Sequence, residues 1–267
     1  MPANRVLLGL TLVLATATTF AASTPQYVAL GSSYAAGPGI TPTVPDSPPR
    51  CARSAENYAH VLAQHRGLSL VDATCSGATT VDVLRGGQFG LPAQLDAVTS
   101  QTELITVTIG GNDVYFMANL IAMSCGQPGG CPIHPDADVN ARFANLADSL
   151  KQIVAVARQR NPKVRVVFVN YFTVLPEQGT CALVGLSVEQ ADHVRGVAAR
   201  LADITRKVAQ ESHADLLDLG SLSRAHNACS SDPWVLGAHP PQGASIPPFH
   251  PNREAMRAVG DALTKLF

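Results

Sequence analysis

Short apolar runs that end in small polar residues alternate along this chain with longer stretches of helical period, and this alternation limits the fold more than any other feature. The runs cover residues 27–30, 68–73, 103–109, 164–170 and 214–219. The fourth is almost continuously apolar, as a strand covered on both faces should be. Between them, Val139, Phe143, Leu146, Leu150, Ile153, Val154 and Ala157 recur at helical spacing. So do Val188, Ala191, Val194, Val197, Ala198, Leu201, Ile204 and Val208. Parallel neighbours need a crossover connection, so strands alternating with helices predict a parallel sheet with helices on both faces. Five strands fit a three-layer α/β/α sandwich of flavodoxin-like type.

Smaller features fill in this outline. The proline-rich stretch 40–50 reads as a loop, and Ser54 is placed to cap a helix carrying Tyr58, Val61, Leu62 and His65 on one face. A short helix is expected near 92–100, and a long loop over 117–135. Asn252 is placed to cap a closing helix over 253–266.

At 267 residues with a net charge of -1 and 15% charged residues, the chain suits one domain and offers no basic face for nucleic acid. Arg5, the apolar run 6–15 and small residues Ala21, Ala22 and Ser23 have the layout of a secretory signal peptide, with an uncleaved anchor as the competing reading. Residues 1–23 are therefore expected to be a leader for export, and 24–267 a single domain without a transmembrane segment. The remaining six cysteines, Cys51, Cys75, Cys125, Cys131, Cys181 and Cys229, suit disulfides in an exported protein. Spacing alone favours only the pairing of Cys125 with Cys131 across a short loop. No C-x-x-C pair occurs, which argues against a zinc cluster.

Three strand endings bring small or polar groups to one edge of such a sheet: Ser33 after the first, Gly77 after the second and Asn112 after the third. His250, just before the closing helix, falls at the same edge. A serine hydroxyl, a histidine base and donors aimed at an oxyanion are the requirements of acyl transfer. Each residue also has a simpler reading. Ser32 and Ser33 suit a helix cap, Gly77 a turn and Asn112 a loop, and His134, His226 and His239 are further candidates for the base. No phosphate-binding G-x-x-x-x-G-K-[ST] is present, and the segment 31–35 departs from the G-x-S-x-G elbow by ending in Ala35.

In order along the chain, G-S-S-Y, S-G-A-T-T, G-G-N-D and F-H-P-N resemble the four blocks of the SGNH or GDSL hydrolases, and the six cysteines resemble those of the family's secreted actinobacterial esterases and lipases. The resemblance spans nearly all of the chain beyond the leader. It implies Ser33 as nucleophile, His250 as general base, and an oxyanion hole from the Ser33 and Gly77 N–H groups with the Asn112 amide. It also implies bridges Cys51–Cys75, Cys125–Cys131 and Cys181–Cys229. An acyl ester or lipid is the implied substrate, with no metal or cofactor, and the protein is expected to act as a monomer. The family's aspartate three residues before the histidine is Pro247 in this chain. A main-chain carbonyl is then expected to orient His250, assigned to Pro247 with Pro248 as the adjacent alternative. A carboxylate such as that of Asp232 bonded to His250 would contradict this Ser-His dyad.

Overall fold

The computed structural model describes residues 27–127, 129–240 and 245–267 together with Met1, so apart from Met1 the expected leader lies outside the described residues. Five parallel strands form one sheet in the order β2-β1-β3-β4-β5. They are β1 (Tyr27–Gly31), β2 (Leu70–Asp72), β3 (Leu104–Thr108), β4 (Arg165–Val169) and β5 (Asp215–Leu217). All residues of β1 and β3 are buried, because helices cover both faces of these central strands. The expected three-layer sandwich is present.

On one face, α2 (Tyr58–Arg66) packs along α8 (Arg253–Leu266). On the other, α5 (Asp136–Arg160) lies beside α6 (Val188–Glu211). The apolar stripe of α5 is buried at all seven expected positions, from Val139 to Ala157. At the crossing of α2 and α8, a Cβ on Gly260 would lie 2.4 Å from Val61 Cγ1 and 2.6 Å from its Cβ. The helices approach this closely only because position 260 has no side chain. Gly260→Ala should cost up to about 2 kcal/mol net, since overpacking by roughly 1–3 kcal/mol is offset by only about 1 kcal/mol of helix propensity. Thermal denaturation should show a midpoint lowered by several degrees, largely restored when Val61→Ala is added.

Several local expectations need correction. Helix α2 is capped by Asn57, whose side-chain oxygen accepts from the Ala59 and His60 N–H groups, and not by Ser54. The Ser54 hydroxyl instead accepts from Glu56 N–H in the preceding turn. The helix expected near 92–100 is a single 3-10 turn, Gln94–Ala97. Part of the expected loop 117–135 is helix α4 (Phe116–Met123), and two further short helices, α3 (Thr80–Leu84) and α7 (Leu219–Leu222), follow strands β2 and β5.

The bridges Cys51–Cys75, Cys125–Cys131 and Cys181–Cys229 are all formed. Every cysteine lies in a segment that follows the carboxyl end of a strand, so the three cross-links staple one edge of the sheet. Among the described residues, no helix is long and apolar enough to cross a membrane.

Candidate active site

Strand β1 ends at Gly31, whose φ of 144° and close approach to Thr108 O exclude a side chain: a Cβ would lie 2.4 Å from that oxygen. The chain then turns through Ser32 into the one-turn helix α1 (Ser33–Ala36). Ser32 occupies the N-cap position, yet its side chain makes no capping hydrogen bond. Ser33 is the first helical residue, so its N–H has no acceptor within the helix. Its hydroxyl lies 2.9 Å from Nε2 of His250. Ser33 is 8% exposed and His250 7%, which leaves the pair largely dry but reachable from solvent.

The other ring nitrogen, Nδ1, lies 2.8 Å from the main-chain carbonyl of Pro248. The expected partner, Pro247, is therefore incorrect by one residue. Its carbonyl closes the turn by accepting from His250 N–H at 3.3 Å, while Phe249, at a φ of 59°, lets the Pro248 carbonyl point back at the imidazole. Asp232 is engaged elsewhere, with a carboxylate oxygen 3.2 Å from Nδ1 of His226. Burial pushes the His250 pKa below the ordinary histidine value of 6.5, against a smaller upward pull from the Pro248 carbonyl. The ring is then neutral near pH 7. With Nδ1–H donating to Pro248, Nε2 carries the free lone pair that faces Ser33.

His134, His226 and His239 are not brought to Ser33. His134 stacks on Tyr115 and His226 on Trp234, while His239 is exposed.

Gly77 lies in the loop after β2 at a φ of 84°, a conformation open to glycine. Asn112 lies in the loop after β3, and its Nδ2 donates one proton to Ala78 O at 2.9 Å, leaving the second available. Asp113 fastens the same two loops, accepting from the Thr80 N–H at 3.0 Å and from the Thr80 hydroxyl at 2.5 Å. Asn112 and Asp113 thus both tie the loop after β3 to the loop after β2.

Three contributors were not evident in the sequence. Tyr34 donates its hydroxyl proton to Phe249 O at 2.5 Å and places its ring 5.3 Å from that of His250, joining the serine turn to the histidine loop. Burial pushes the Tyr171 phenol up to about 12, so it stays protonated, and its oxygen accepts from Gly111 N–H at 2.8 Å beside Asn112. Gln94 pairs with the main chain of Gly31. For Tyr34, the only sequence signal was its place beside Ser33.

Two cavities among the described residues have equal volumes. One of about 400 Å³ is lined by Phe116, Tyr171, Phe172 and residues of α6 and α7 among others. A second of about 400 Å³ lies beyond β2 and is lined by Arg53, Cys75 and Gln94 among others. Neither is lined by Ser33 or His250. Thr173, Val174, Leu175 and Glu177 line the first cavity and Pro48 the second, and the segment 117–135 lines neither.

Residues 29–258 match the GDSL-like Lipase/Acylhydrolase family, and the chain belongs to that family. It is a carboxylic ester hydrolase by class. Lipase 2 of Streptomyces coelicolor is 35% identical over 254 residues, covering 90% of this chain and 85% of the relative. Among solved structures, the extracellular lipase of Streptomyces rimosus superposes with a TM-score of 0.73 at 28% identity, over 90% of this chain and 99% of the other. Phospholipase A1 of Streptomyces albidoflavus NA297 gives 0.69 at 26% identity, with the same coverage.

Proposed function

We propose that this protein is an exported serine esterase or lipase in which Ser33 and His250 work as a dyad. The observation that carries the reading is the chain of contacts from Ser33 Oγ to His250 Nε2 at 2.9 Å and from Nδ1 to Pro248 O at 2.8 Å. His250 takes the hydroxyl proton as Ser33 Oγ bonds to the ester carbonyl carbon. The oxyanion is held by the N–H groups of Ser33 and Gly77 and by Asn112 Nδ2. His250 then passes the proton to the departing alkoxide, the C–O bond breaks and an acyl-serine remains. Water, deprotonated by the same nitrogen, releases the acid and restores the Ser33 hydroxyl.

Export is supported by the leader-like N-terminus and by three disulfides, which persist in oxidising surroundings. Similarity to a solved phospholipase A1 keeps phospholipid esters within the substrate range. A series of p-nitrophenyl esters and phospholipids of increasing acyl length, assayed on the purified protein, separates these substrates.

A fluorophosphonate should add its mass to the peptide containing Ser33 and stop ester turnover in the same proportion. Label on another residue, or turnover that survives full labelling, would overturn the reading. The base must be neutral to accept the proton, so kcat/KM should fall as pH drops through the His250 pKa. Because burial lowers that pKa, the midpoint of the acid limb should lie below pH 6.5, with more than half of the full rate retained at 6.5. A limb centred above that value would place the working base elsewhere.

A further inference from the structure

We infer that Gln94 is a positioning residue that sets the angle of the Ser33 turn by completing the hydrogen-bond ladder of β1 where β2 has already ended. This inference rests on the proposed role of Ser33. Strand β2 pairs with β1 only as far as Asp72, opposite Ala29, whereas β3 pairs with β1 through to Gly31. On the β2 side, Tyr27 N–H donates to Ser69 O at 3.0 Å, and the Ala29 and Gly31 carbonyls accept from Ala73 at 2.9 Å and Cys75 at 3.0 Å. The register that carries Tyr27 N–H to Ser69 O would carry Gly31 N–H to the Ala73 carbonyl. It goes instead to Oε1 of Gln94 at 2.7 Å, and Nε2 of Gln94 returns a proton to Gly31 O at 3.0 Å.

A primary amide carries one acceptor and one donor side by side, so it can take the place of a strand's peptide group at this point. The substitution occurs two residues before the nucleophile, at the residue where the chain leaves the sheet. Gln94 is buried, at 6% exposure. The turn that carries it is held in place by Arg160, whose guanidinium binds the Leu95 carbonyl and, at 2.8 Å, the Asp96 carboxylate. The clamp is therefore anchored to the end of α5 and does not depend on the loop it steadies.

The cavity of about 400 Å³ against Gln94 gives water a route to Gly31 when the amide is removed, so loss of the clamp need not unfold the sheet. Gln94→Ala should lower kcat by about 10- to 100-fold with KM changed less than about twofold, since displacing a nucleophile slightly acts on the chemical step. The rate at which fluorophosphonate labels Ser33 should fall in parallel.

Gln94→Glu supplies a readout that a purely structural role would not move. As a carboxylate it can accept from Gly31 N–H but cannot donate to Gly31 O. Protonated, it does both. The ratio of its kcat/KM to that of the wild type should rise about tenfold as pH falls through the raised pKa of a buried glutamate. Unchanged kcat and labelling rate in Gln94→Ala, with wild-type labelling at Ser33 intact, would overturn the inference alone. If Gln94→Ala does not fold, a pH-independent ratio for Gln94→Glu would overturn it. Failure of wild-type Ser33 to label would instead remove the dyad beneath it.

Discussion

Ser33→Ala should lower kcat for ester hydrolysis by about 10⁴- to 10⁶-fold, and His250→Ala should do nearly the same. The two losses should not add. Ser33 Oγ and His250 Nε2 share one hydrogen bond at 2.9 Å, and either partner alone cannot form the acyl-enzyme, so the double variant should resemble the single ones. Residual turnover above that of water would come from the remaining donors. The fold should survive. Ser33→Ala removes one hydroxyl at the start of α1, and the Tyr34 bond to Phe249 O continues to hold the histidine loop in place. Steady-state kinetics with circular dichroism checks both halves of the expectation, and a Ser33→Ala protein with wild-type kcat would remove the assignment.

The second large effect should come from Asn112→Ala, with kcat reduced about 10²- to 10³-fold and KM nearly unchanged, as expected for a donor that acts mainly on developing oxyanion charge. The residue also ties two loops through Ala78 O at 2.9 Å, so a structural loss must be separated from a catalytic one. Asn112→Asp separates them. It has nearly the same shape but brings negative charge to the oxyanion, so its kcat should be at least as low as that of the alanine variant. A melting midpoint within a few degrees of wild type, together with these kinetics, would assign the loss to the transition state. An Asn112→Asp protein more active than Asn112→Ala would show that shape matters more than the donor.

Much of the sheet could be read directly from residue patterns, because the central strands are buried on both faces and need continuous apolar runs. The order of the strands is a matter of tertiary packing and leaves no periodic trace. Helix α4 was hidden for a local reason. Its N-cap is Tyr115 at a φ of 57°, with no side-chain capping bond, so the usual start signal is missing. The glutamine at position 94 reads as an ordinary polar residue in a short turn, and its importance depends on β2 stopping at Asp72. Two adjacent prolines offered identical carbonyls to His250. Only the positive φ of Phe249 selects Pro248, and a bulky aromatic residue in that conformation is not suggested by the sequence. By contrast, the placing of Ser33 and His250, 217 positions apart, at one edge of a parallel sheet was legible from the strand ends and the start of the last helix, while the choice of His250 over the other loop histidines came from the resemblance of its F-H-P-N block.

The acceptor behind His250 belongs to the polypeptide backbone, and this gives the proposed site an unusual genetic property. A carboxylate in that place could be deleted, amidated or protonated. The Pro248 carbonyl can be none of these, since every amino acid at 248 would bring its own. An alanine scan would therefore find a partner for Ser33 and nothing behind it, even though the imidazole is oriented throughout. The acidic side of the rate profile should then follow a single proton.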